Sequence, residues 1–174
     1  MVVTGATGGV GSLAVAILSK LGYEVTAVTR RLQHSEYLNG LGATEVLSSD
    51  SLSAEKRPIG KERWAGAIDS VGGPALEWIL PSLAYGTSVA ACGLAGGTEW
   101  TASVIPFILR GVRLIGVDSV RSPVPRRSQA WARLDELGVA DLPDMVTTCG
   151  LEEVADRCRT LLEGHHRGRT VVEV

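Results

Sequence analysis

The chain has 174 residues, is 45% hydrophobic with a mean hydropathy of +0.17, and carries a formal net charge of -2 at pH 7. It is long and apolar enough to bury a core of its own, and its weak charge, with no basic run longer than two residues, argues against nucleic acid as the main partner. No apolar stretch reaches the roughly 18 residues of a membrane span, and Thr4 with the glycines after it breaks any leader-like start, so a cytoplasmic location is expected.

Residues 1–4 read as a β-branched strand that runs into Gly5-Ala6-Thr7-Gly8-Gly9-Val10-Gly11 and then into a helix. Val10, Leu13, Ala14, Ile17, Leu18 and Leu21 share one face of that helix, and Gly22 stops it. Residues 24–29 read as a second strand. A short helix follows over 35–41, with Tyr37, Leu38 and Leu41 inward, and then a third strand at 45–47. Residues 48–63 are polar and charged, a surface loop or short helix. A fourth strand at 64–69 ends in Asp69, and Pro74 opens a helix to about Leu83. A fifth strand at 87–92, a short helix at 105–109 and a sixth strand at 113–118 complete the alternation.

This order predicts an α/β fold: a doubly wound parallel sheet of about six strands with helices on both faces, a Rossmann fold. Ala130, Trp131, Leu134 and Leu137 then mark one more amphipathic helix, followed by a loop containing Gly138, Pro143 and Gly150. Leu151, Val154, Ala155, Cys158, Leu161 and Leu162 mark the last helix, and residues 170–174 the last strand. The expected division is a dinucleotide-binding domain at 1–140 and a C-terminal helix and strand at 141–174.

The first strand–turn–helix gathers backbone N–H groups and the positive end of a helix dipole at one point, which suits a diphosphate. Gly8 admits the backbone to the diphosphate, and Gly11 lets helix and strand pack closely. An NAD site places an acid at the end of the second strand for the ribose 2′-OH. Here Thr29, Arg30 and Arg31 stand there instead, and guanidinium groups suit a 2′-phosphate, so NADP(H) is the expected cofactor. Other candidates lie at strand ends: Asp69 and Val71, Leu94, and Val117, Asp118 and Ser119. Asp69 reads first as a turn cap and second as a catalytic carboxylate. Cys92 reads as a small buried residue rather than a nucleophile. Arg169 either reaches a phosphate or lies in solvent. Cys92, Cys149 and Cys158 form no C-x-x-C pair, so neither a disulfide framework nor a zinc site is expected.

The turn also fits short-chain dehydrogenases, but Tyr23, Tyr37 and Tyr85 are followed four residues on by Ala27, Leu41 and Val89, never by the lysine that chemistry needs. The better match is elsewhere. Residues 3–11, Leu41-Gly42-Ala43, Asp69-Ser70-Val71-Gly72 and Gly168-Arg169-Thr170-Val171-Val172 resemble the cofactor half of the medium-chain dehydrogenase/reductase superfamily. The longer strings at 64–69, 90–97, 106–119 and 126–131 resemble its zinc-independent quinone oxidoreductase branch, and within that the acryloyl-CoA reductase group.

The resemblance implies NADPH-dependent hydride transfer to the β-carbon of a small enoyl thioester, or to a quinone, as the small-molecule substrate. It assigns Thr7, Gly8, Gly9 and Val10 to the diphosphate, Thr29, Arg30 and Arg31 to the 2′-phosphate segment, and Leu94 with Val117 to Ser119 to the nicotinamide end. It also implies a homodimer joined along the sixth-strand edge, and a preceding barrel-like domain that holds most substrate contacts. Without that domain, little turnover is expected, and the last helix and strand are expected to lack partners. No residue stands out as a general acid. The rival expectation is an NADP(H)-responsive binding or regulatory module without catalysis.

Overall fold

A computed structural model describes residues 1–53, 57–139, 142 and 144–174. Six strands, β1 (Val2–Thr4), β2 (Thr26–Thr29), β3 (Glu45–Ser48), β4 (Ala67–Asp69), β5 (Ser88–Ala91) and β6 (Arg113–Gly116), pair in parallel in the order β3-β2-β1-β4-β5-β6. The central strands are buried on both faces, which is why they read as apolar runs without alternation.

Neighbouring residues face opposite sides of the sheet, so Val2 and Val28 join one core while Val3 and Ala27 join another. The second core is closed by α1 (Gly9–Lys20) and α2 (Ser35–Gly40) through Val15, Leu18 and Leu38. The first is closed by α3 (Pro74–Ile79) and the 3-10 turn after it, through Leu76, Ile79 and Leu83, with Phe107 of α4 (Ile105–Arg110) packed against it. From β1 the chain winds outward through β2 and β3, then returns to lay β4, β5 and β6 on the other side. The crevice at that reversal is where open α/β sheets bind ligands.

The strands are shorter than the sequence pattern predicts. β2 begins at Thr26 and β4 at Ala67, while β5 and β6 stop at Ala91 and Gly116. Cys92 therefore lies in the loop beyond β5 and is exposed, contrary to the expectation of a buried residue. The helix expected around Ala130 is α5 (Val124–Glu136), opened by a proline-rich start and without a buried side chain.

The largest departure is at the C-terminal end. Residues 146–150, expected in a loop, form β7 (Val146–Gly150), which pairs in parallel with β8 (Arg169–Glu173) in a separate two-stranded sheet. The last strand thus has a partner along its whole length. The run Val146-Thr147-Thr148 is exposed, so it lacks the hydrophobic contrast by which a strand is recognised. Between β7 and β8, α6 (Val154–Leu162) buries no side chain, and the expected exposed apolar surface is present at Leu151, Leu161 and Leu162. Pro143 and the expected boundary at 140/141 lie outside the described residues.

Candidate cofactor crevice

The crevice is built on the turn between β1 and α1. Gly5 adopts φ 59°, and Gly8, extended, caps the helix, accepting from Ser12 N–H at 2.8 Å. A Cβ on Gly11 would lie 2.2 Å from the Gly5 carbonyl oxygen and 2.7 Å from the Ala6 Cα, so only glycine lets α1 sit this close to the turn. The N–H groups of the first helical turn have no intrahelical acceptors, and α1 has no acidic residue there. The turn is therefore complementary to an anion.

Around it lies a crevice of about 390 Å³. Thr7, Gly8, Gly9, Val10 and Gly11 form one side, and Val28, Thr29, Arg30 and Arg31 the side next to β2. Ser70, Val71, Ala75, Ala95 and Gly96 form the far wall, where the loops after β4 and β5 are tied together by Gly96 N–H to the Val71 carbonyl at 2.7 Å. Ser49 and Leu52, just after β3, close the end. These two were hidden in the polar stretch after the third strand. The usable signal was their place at the C-terminal end of the strand beside β2.

Asp69 lies beneath this crevice and is fully buried. Its Oδ1 accepts from Thr4 Oγ1 and from Val71 N–H at 3.3 Å, and its Oδ2 from Gly72 N–H at 2.9 Å. These bonds shape the loop that carries Val71, as a turn cap does. Cys92 Sγ donates to the Asp69 carbonyl at 3.3 Å. Partial burial, and then the Asp69 charge, push its thiol pKa up, which disfavours a thiolate nucleophile.

The adjacent arginines differ. Arg30 is exposed, and its guanidinium makes no hydrogen bond or ion pair among the described residues. Arg31 donates from Nη2 to Thr7 Oγ1 at 2.6 Å and from Nη1 to the carbonyls of Gly164 (2.6 Å) and His166. Its amide donates to Thr29 Oγ1 at 3.0 Å, and that hydroxyl lies 3.2 Å from Thr7 Oγ1. Burial, and then the Arg30 charge, lower the pKa of Arg31. Two cations held side by side favour an anion between or beside them.

Arg169 stands at the start of β8, where its side chain covers Gly9: a Cβ there would meet its Nε at 2.8 Å. Leu94, Val117, Asp118 and Ser119 do not line the crevice; they follow β5 and β6 and are exposed. Asp118 Oδ1 caps the next turn by accepting from Val120 and Arg121 N–H at 2.9 and 3.1 Å, and the Ser119 carbonyl accepts from Arg127. No group of three His, Cys, Asp or Glu side chains suited to a metal occurs among the described residues, where no helix is long and apolar enough to cross a membrane.

Comparison with known proteins agrees with this geometry. Residues 9–137 match the family model described as zinc-binding dehydrogenase. The chain is 51% identical over 179 residues to the probable acrylyl-CoA reductase AcuI of Escherichia coli K12, covering all of this chain and 54% of that protein. The crystal structure of Escherichia coli K-12 YhdH with bound NADPH superimposes with a TM-score of 0.91 at 51% identity, over 99% of this chain and 54% of that one. Bacillus subtilis YhfP, crystallised with NAD, superimposes with a TM-score of 0.89 at 41% identity, over 99% of this chain and 54% of that one. The chain thus spans about half the length of the relatives it matches. It belongs to the zinc-binding dehydrogenase family of the medium-chain dehydrogenase/reductase superfamily, of which it represents the cofactor-binding half.

Proposed function

We propose that this chain binds NADP(H) and serves as the cofactor half of a cytoplasmic, zinc-independent reductase that transfers hydride to an activated alkene, a small enoyl-CoA such as acrylyl-CoA, or to a quinone. One observation carries the cofactor reading. The end of β2 presents Arg30 and Arg31 beside an anion-complementary turn, with no acid in the position that would accept from a ribose 2′-OH. The substrate class rests on the relative named as a probable acrylyl-CoA reductase.

Bound in the crevice, NADPH supplies the hydride. The chain's own residues hold its ends: the turn from Thr7 to Gly11 faces the diphosphate, the end of β2 with the free guanidinium of Arg30 faces the 2′-phosphate, and Ser49, Leu52, Ser70 and Val71 enclose the adenosine. Leu94 and residues 117–119, at the ends of β5 and β6, are assigned to the nicotinamide end. In this division 1–140 forms the dinucleotide-binding domain, and 141–174 the piece that meets a substrate domain. β6 is an edge of the main sheet and exposes Ile115, so it is proposed as the seam of a homodimer.

Titration with NADPH and NADH tests the reading. NADPH should bind more tightly by at least tenfold, since a charge-assisted phosphate contact is worth about 1.5–3 kcal/mol. Equal affinity for the two, or no binding, would sink it. Acrylyl-CoA turnover by this chain alone should be negligible.

A further inference from the structure

We infer that the two neighbouring arginines have different tasks: Arg31 is a positioning residue that straps the loop at 164–168 across the dinucleotide turn, while Arg30 and Arg169 are the guanidinium groups that grip the cofactor's phosphates. The inference rests on the NADP(H) reading and divides its labour.

The guanidinium of Arg31 is spent on protein acceptors. Both Nη1 protons go to carbonyls of the 164–168 loop, and one Nη2 proton goes to Thr7 in the turn. A planar fork is suited to joining three acceptors on two segments. The strap continues in the backbone. Gly168 N–H donates to the Thr7 carbonyl at 2.9 Å, Gly168 bridges Gly8, and Arg169 N–H donates to the Met145 carbonyl at 2.8 Å. These bonds place Arg169 directly over Gly9 at the start of α1.

Arg30 and Arg169 are the opposite case. Neither guanidinium has a hydrogen bond or ion pair among the described residues, both are exposed, and both border the groove that runs from the turn toward α6. Their donors are available to a ligand from two sides of Gly8 and Gly9.

The test compares NADPH and NADH affinities, by nicotinamide fluorescence, with amide hydrogen exchange at Gly168 and Arg169 in the free protein. Arg30→Ala should weaken NADPH tenfold or more, leave NADH unchanged and leave exchange unchanged. Arg169→Ala should weaken NADPH by a similar factor, again without changing exchange at Gly168. Arg31→Ala should weaken NADPH and NADH by the same factor and speed exchange at Gly168 and Arg169 at least tenfold. Arg31→Lys keeps the charge but not the fork, so its exchange should follow the alanine variant, and it decides the matter if Arg31→Ala fails to fold. Selective loss of NADPH in Arg31→Ala with exchange unchanged would make Arg31 a phosphate ligand and overturn the inference, as would full rescue by lysine. If the unsubstituted chain binds neither nucleotide, the functional reading falls, while the exchange data still decide whether Arg31 is a strap.

Discussion

The six-stranded sheet and the β7–α6–β8 unit are held by different forces. In the main sheet, Val2, Val3, Ile79, Leu83 and Val89 are wholly buried between sheet and helices. In the C-terminal unit, α6 buries nothing, and Val146, Val171 and Val172 are exposed along the strands. Its attachments to the turn are polar and backbone-directed: the Gly8–Gly168 bridge, the Thr7–Gly168 bond and the side chain of Arg31. A domain core tolerates small losses elsewhere because apolar burial scales with area. A unit fastened by a few hydrogen bonds has no such reserve and should open locally while the sheet stays folded.

The sharpest break of this contrast is a pair of truncations. Ile79→Ala should cost about 3–4 kcal/mol in urea denaturation, because it empties a closed site. Leu162→Ala, at a side chain 86% exposed, should fall within about 0.5 kcal/mol. Equal costs would mean that the C-terminal unit has a core after all.

Gly11→Ala should come next, costing about 2 kcal/mol. Its methyl group meets backbone, not a flexible side chain, so α1 must move off the turn. Nucleotide binding should drop with it, and unchanged binding would show that the turn yields without losing its shape.

The smallest effect is a pH slope at the seam between the regions. Burial, then the charges of Arg31 and Arg167, lower the folded-state pKa of His34 below its ordinary 6.5. Between that lowered value and 6.5 the unfolded chain binds more protons, so stability should fall as pH drops through this window and level off below it. His34→Asn should flatten the slope. A slope that persists assigns it to another group.

The two regions were also unequally legible. The glycine turn, the spacing of Val10 to Leu21 and the β-branched runs each carry a local physical signature, so the doubly wound parallel class of the main sheet and the place of the turn followed from the residues. β7 was missed because its exposed threonines lack the contrast that marks a strand. Cys92 was misjudged because the apolar run before it continues past the last paired residue, Ala91. Two of the three partners of Arg31, Gly164 and His166, lie more than 130 residues away, and nothing near the arginine marks them. Ser49 and Leu52 were obscured by a polar stretch, although the crossover after β3 returns them to the crevice.

The separation of 133 positions between Arg31 and Gly164 also sets an order of events during biosynthesis. β1, the glycine turn and β2 are made before the strap that fastens them and can pair as soon as α1 has formed. Until residues 164–168 have been added the turn exists without its closure, and a nascent chain acquires its finished anion site only once they are made.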